Sequence, residues 1–475
     1  MDGHWTGTLN NADRRFYAAF ALVAVLASVV HFHELGAMHV TYDEGVHADV
    51  TRELVTQGTY RYSGGAHGPL LIYLSALSTF VSDLTIIQGR ALVAALSLLT
   101  LPALLPLRRV LNDRALLVAA PLVTLHPVVL FPARYYRNDA ILVTILLAAV
   151  ALYVRYRATG SAWTAAATGA LLAAAIATKE VAYIVLFALV VPLVAAILVA
   201  SFRDRDPVAA VDEYIPLQHA PVGLFAFVVT LVAFFAGWPP RPQNALVYIA
   251  TGLDLWFSRM SGDPRYGYFT SQLLTTAPLV TALGIVGLID SLRPSKRRVV
   301  RWLLISWTVV LFAVFVQGSE YARWLVIYIT APLAILAGIG VVTILNHMGR
   351  HIPTVERRPL LPVGAALAIV LLAALAWPMA VPGLTAPTQP DDTSQAFQAT
   401  AAAHERTGCE VVVGPGYRKP FPLKWYVEGE WRYYEPDGGP TAPAVVVTQE
   451  PVSTPYATEE TRVGEWMVIE PQASC

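Results

Sequence analysis

Cysteine, lysine and charge of either sign are scarce in this chain. Its 475 residues include two cysteines, four lysines against 29 arginines, and 14% charged residues in all, where a soluble globular protein carries roughly 25%. Cys409 and Cys475 lie far apart and form neither a disulfide framework nor a CxxC metal motif, although the two could pair outside a cell. No glycine-rich phosphate cradle is present, which argues against an ATP-driven pump. Formal net charge is zero, so nothing supports a nucleic-acid partner. No internal repeat is evident.

Apolar residues fill the chain instead: 56% are hydrophobic and the mean hydropathy is +0.53. Eleven runs read as membrane spans: 16–34, 90–107, 115–132, 140–154, 162–178, 181–200, 221–238, 274–291, 302–316, 324–346 and 360–381. Arg14 and Arg15 precede the first run and no small-residue cleavage site follows it, so it reads as a retained span. Leu70 to Val81 is too short to cross and reads as an interfacial or re-entrant helix. The expected fold is therefore an all-α polytopic membrane protein of about eleven transmembrane helices over 1–384. A small extracytoplasmic α/β domain follows over 385–475, with a helix from Gln395 to Arg406 and strands at Glu410–Val413, Ala444–Thr448 and Trp466–Ile469.

The distribution of Lys and Arg assigns the sides. With 70–81 not crossing, one side receives 17 Lys/Arg in 71 loop residues and the other 9 in 108. The basic side is cytoplasmic by the positive-inside rule, which puts the N-terminus inside and the C-terminal domain outside. Residues 35–89 then form a long first outer loop and 239–274 a second one, rich in Pro, Trp and Tyr, that reads as a cover. Four polar clusters fall on the same outer face: Asp43-Glu44, RYYRND (134–139), TKE (178–180) and EYAR (320–323). Charges at membrane depth are costly and are paired or functional; four clusters on one face point to one site.

Each cluster has a plain reading beside the functional one. Thr41 with Glu44 three residues later makes a capping box, which explains Glu44 and leaves Asp43 unexplained. Asp43 would otherwise serve as a general base, with His47 one turn further on the same helix face. Arg137 and Asp139 make either an interfacial ion pair or a phosphate ligand beside a second acid. Lys179-Glu180 sits where a hairpin turn would favour Gly, Asn or Pro, and Arg323 either snorkels or holds phosphate. His31, His33 and His39 crowd the end of the first span, so a divalent metal stays open as a cofactor, with Asp43 and His47 as its candidate ligands.

Together YDEGVHADVTRELVTQGTY (42–60), HGP (67–69), RYYRND, TKE and EYARW (320–324) resemble the GT-C superfamily of membrane glycosyltransferases. The resemblance covers about 16–350 and lies nearest the dolichyl-phosphate-mannose–protein mannosyltransferase and lipid A aminoarabinose transferase branch, in the form of its archaeal, flippase-activity-associated members. It implies an inverting transfer of a sugar from a polyprenyl (dolichyl) phosphate carrier on the outer face. The acceptor would be a protein, a glycan or a lipid. It also implies that Asp43, Glu44 and Asp139 are the catalytic acids, Asp43 being the base. Arg137, Lys179 and Arg323 are then the donor-phosphate cations, and His47, His67, Glu180 and Tyr321 line the substrate. A DE pair in place of DxD weakens the case for an obligate metal. The alternative is a non-catalytic accessory or flippase-associated factor for lipid-linked sugars.

Overall fold

In lipid a backbone has no water to satisfy it, so apolar segments bond internally as helices. The computed structural model shows this throughout residues 11–351, where all but 39, 63, 204–205, 263–265, 294–297 and 319–322 are described. Further on it describes 392–414, 431–433, 443–449, 452, 454, 458–463, 466–472 and 475. Helix α1 (Asn11–Phe32) is followed by α2 (Tyr42–Gln57), α3 (Pro69–Ser78), α4 (Ile86–Leu98) and α5 (Thr100–Leu104). Next come α6 (Asp113–Thr124), α7 (Pro127–Arg134), α8 (Asn138–Thr159), α9 (Ala162–Ile176) and α10 (Val181–Phe202). Then follow α11 (Pro207–Tyr214), α12 (Ala220–Phe235), α13 (Ala245–Met260) and α14 (Tyr266–Thr276). The series ends with α15 (Pro278–Ser291), α16 (Arg298–Gln317) and α17 (Ile327–His351).

Ten of the eleven expected spans fall on these helices, and 360–381 lies outside the described residues. Among the described residues, seven helical segments are long and apolar enough to cross a bilayer, or nine when two bent pairs each count as one span. The bent pairs are α6–α7, at 49°, and α14–α15, at 99°. The remaining one is α9, whose 15 residues reach about 22 Å at 1.5 Å per residue, short of a ~30 Å hydrocarbon core. Such a set of apolar helices makes the chain a multi-pass membrane protein. At ten residues, α3 covers only about 15 Å.

Close helix approach sets the frame for the site. A Cβ on Gly287 would lie 1.8 Å from the Leu336 carbonyl oxygen, and one on Gly340 2.1 Å from that of Leu283. Lipid supplies no hydrophobic drive between helices, so this backbone-to-backbone packing is what joins α15 to α17. Ile327 to Leu336 on α17 is buried almost throughout, which fixes the polar side chains at its start. The region expected as a second outer loop is largely helical, holding α13 and most of α14. It is tied to the first loop by Tyr60 and Trp238, whose backbones exchange hydrogen bonds of 2.8 and 2.9 Å.

Past the bundle, α18 (Asp392–Thr407) packs on a small sheet of β1 (Val411–Val413), β2 (Trp431–Tyr433), β3 (Val445–Thr448), β4 (Thr458–Val463) and β5 (Trp466–Pro471). The strand order is β2-β1-β3-β5-β4. β1 runs parallel to β2 and β3, while β5 is antiparallel to β3 and β4. The three expected strands are β1, β3 and β5. β2 and β4, which lack an apolar run, went unread. Phe397 and Trp466 meet in the core at 5.5 Å, and Cys409 is bonded to Cys475.

Candidate active site

The first turn of α2 is built by Glu44. Its Oε2 accepts the Thr41 backbone N–H at 2.9 Å while Thr41 Oγ1 accepts that of Glu44 at 3.4 Å, the capping box read from the sequence. The same carboxylate accepts Arg90 Nε at 2.7 Å, a second Arg90 nitrogen at 2.9 Å and the Tyr136 N–H at 2.9 Å. Arg90 also donates to the Leu35 and Met38 carbonyls. Glu44 and Arg90 are 0% and 1% exposed. Every oxygen lobe of Glu44 is therefore engaged, and the residue, expected from the resemblance to be a catalytic acid, locks α2, α4 and the RYYRND loop together.

Asp43, next in sequence, faces the other way. Its carboxylate lies 2.7 Å from a terminal nitrogen of Arg137 and its side chain is 32% exposed. Arg137 Nε donates to Asp139 at 3.1 Å, and the guanidinium sits 4.6 Å from the centre of the Trp324 ring. Asp139, at the start of α8, has no exposure; it accepts Lys179 Nζ at 2.8 Å and the Tyr328 hydroxyl at 2.7 Å as well. Burial works against ionising Asp43, but Arg137 foremost holds its carboxyl below the ordinary range.

His47, buried one turn along α2, is committed on both sides. Its Nδ1 donates to the Tyr136 carbonyl and its Nε2 accepts the Asn138 amide, each at 3.0 Å. Burial first, then His67, lowers its pKa to about 3, so the ring is neutral. His67 adopts φ +58° and bonds Glu180 at 2.9 Å, whose other oxygen accepts the Tyr62 hydroxyl at 2.9 Å. The HGP and TKE segments also meet through backbone: Gly68 N–H to Thr178 and Leu70 N–H to Ala177, at 3.1 and 2.8 Å. A Cβ on Gly68 would stand 2.1 Å from the Ala177 oxygen, so only glycine allows that contact.

Asp43, Glu44, His47, His67, Arg137, Asp139, Lys179 and Glu180 thus converge at one end of the bundle. Tyr321 lies outside the described residues, as does His39. Arg323 starts a short 3-10 turn, Arg323–Val326, which brings its neighbour Trp324 to the site. His31 bonds the Ala27 carbonyl within its own helix and His33 is exposed. With both His47 nitrogens taken and Asp43 on Arg137, the proposed ligands do not fit a metal ion. Among the described residues no three His, Cys, Asp or Glu side chains assemble one. Sequence reasoning missed Tyr328, Tyr62, Asn138 and Arg90. Two of them had a usable signal: Asn138 lies inside RYYRND, and Arg90 is an arginine opening an apolar run.

This arrangement of bent, closely packed helices with a charged cluster at one end has the fold of the GT-C membrane glycosyltransferases. ArnT from Cupriavidus metallidurans bound to undecaprenyl phosphate superposes with a TM-score of 0.61 at 16% identity, covering 96% of this chain and 98% of that one. Its apo state gives 0.62 at 18%, covering 97% and 98%. The oligosaccharyltransferase AglB from the archaeon Archaeoglobus fulgidus, in complex with an inhibitory peptide and a dolichol-phosphate, gives 0.54 at 15%. That likeness covers 94% of this chain but 62% of AglB. Within the fold, residues 15–239 match the model of the dolichyl-phosphate-mannose-protein mannosyltransferase family. A sequence comparison with curated proteins finds no match.

Proposed function

We propose that this chain is an inverting glycosyltransferase that moves a sugar from a polyprenyl phosphate to an acceptor at the outer membrane face. One observation carries the reading: a partly open carboxylate, Asp43, stands against the buried cations Arg137 and Lys179 at a single bundle end. The acceptor hydroxyl attacks the anomeric carbon from the face opposite the phosphate. The bond from that carbon to the phosphate oxygen breaks, and its electron pair leaves with the polyprenyl phosphate. The hydroxyl proton passes to Asp43, while Arg137 and Lys179 stabilise the charge on the departing phosphate. The undecaprenyl phosphate of ArnT and the dolichol-phosphate of AglB support a lipid-phosphate donor.

The outward orientation rests on the Lys/Arg bias. The Cys409–Cys475 disulfide supports it, because such bonds persist in oxidising compartments. The test uses purified protein in liposomes with a radiolabelled polyprenyl-phosphate hexose and an added panel of hydroxyl acceptors: peptides, glycans and lipids. Wild type releases label from the lipid, and Asp43→Asn lowers the rate by about 10²–10⁴, the span general-base catalysis supplies. Equal, negligible release from both, with the donor bound, would refute the enzyme and leave the accessory role.

A further inference from the structure

The base this function needs is not free in the structure. Asp43 is spent on Arg137 at 2.7 Å, and a carboxylate held ionised by a cation is a weak proton acceptor. The cations are spent as well. Arg137 and Lys179 are matched by Asp43 and Asp139, and among the described residues this group offers no surplus positive charge to a phosphate.

One exchange resolves both conditions. We propose that Arg137 is a latch on Asp43: the phosphate of the lipid donor takes the guanidinium from Asp43, and the freed carboxylate becomes the proton acceptor. The idea rests on reading the site as one for a lipid-phosphate sugar. The geometry singles out which partner yields. Asp139 is wholly buried and holds Arg137 through Nε, leaving the terminal nitrogens to face Asp43. Asp43 is about a third exposed and its place can be taken by a phosphate, which a guanidinium fork binds through paired hydrogen bonds. Trp324, stacked on the guanidinium at 4.6 Å, keeps its plane fixed during the exchange. The base is then armed only when the donor is in place, so donor binding precedes productive acceptor binding.

The exchange predicts a gain where simple loss would be expected. In full-length protein in nanodiscs, Asp43→Asn binds sugar-free polyprenyl phosphate about fivefold more tightly than wild type, because Arg137 no longer has to leave a carboxylate. In an Arg137→Gln background the same change leaves affinity unaltered, a coupling that a double-mutant cycle isolates. Should Arg137→Gln not fold, Arg137→Lys replaces it: lysine pairs with Asp43 only as a point charge, so there the tightening is expected to shrink, and tightening undiminished by the lysine overturns the latch. Unchanged or weaker binding by Asp43→Asn overturns the latch. So does tightening that persists without Arg137, which would be only the field of one removed negative charge. If wild type transfers sugar while either result is seen, the latch fails alone. If wild type binds no polyprenyl phosphate, the proposed function fails and the latch with it.

Discussion

Glu44→Gln separates an architectural carboxylate from a catalytic one. The wild-type side chain is buried and accepts two nitrogens of Arg90 together with the Tyr136 and Thr41 N–H groups. Glutamine keeps the shape, removes the charge and turns an NH2 toward donors. Arg90, 1% exposed, is left as an uncompensated buried cation, which costs about 3–5 kcal/mol. Arg90→Met removes the cation too, but strands the Leu35 and Met38 carbonyls at about 1–3 kcal/mol each. The double variant is therefore expected to lose less than the two singles together, with a coupling of about 2 kcal/mol. Unfolding by SDS titration of the detergent-solubilised protein reads all four forms. Glu44→Gln with wild-type stability and no sugar transfer would refute the assignment and put Glu44 at the reaction.

Two further outcomes follow from the same geometry. His47 ordinarily titrates at 6.5 and is lowered by burial to about 3, so the unfolded chain binds its proton first and stability falls as pH drops below 6.5. By pH 5 this loss is about 2 kcal/mol; Glu180, which the His67 hydrogen bond holds down to about 2 against the cost of burial, adds a second loss below its ordinary 4.5. Thermal denaturation from pH 8 to 4 should show the first slope in wild type and not in His47→Gln, and a flat wild-type profile would refute it. Gly68→Ala forces a methyl to 2.1 Å from the Ala177 oxygen and should cost about 1–3 kcal/mol by parting HGP from TKE; a variant as stable as wild type would show that this junction yields.

The helices were legible because lipid allows an apolar run little else, and the sidedness of lysine and arginine was enough to gather onto one face four clusters spread from residue 43 to residue 323. Lys179, read from the sequence as a phosphate cation, meets Asp139 within that gathering, a pairing the sequence did not indicate. What stayed hidden was of two kinds. Tyr328 donates to Asp139 from inside the apolar α17, where one hydroxyl leaves no trace in a hydropathy pattern. Glu44 shows both its capping box and a catalytic-looking neighbour, and only Arg90, 46 residues on, decides between them. The bends were also missed: a run of apolar residues has the same hydropathy whether straight or turned by 99° at Ala277-Pro278.

The equal count of charges in the Asp43–Arg137–Asp139–Lys179 group has a physical reason beyond pairing. An unmatched cation buried at this depth carries a desolvation penalty of several kcal/mol, and a standing surplus would weaken the bundle end that must hold it. If the site receives an anionic lipid, as proposed, it would gain its positive charge by exchanging partners, not by storing it. Under that constraint the two carboxylates cannot be equivalent. The one with no exposure, Asp139, has three donors and must stay ionised and fixed. The one with access to solvent, Asp43, has the exchangeable partner. Removing the fixed carboxylate is expected to unravel the group, whereas removing the open one is expected to spare the fold and, under the proposed function, to stop the chemistry; that asymmetry is the ground on which we propose separate roles for Asp43 and Asp139.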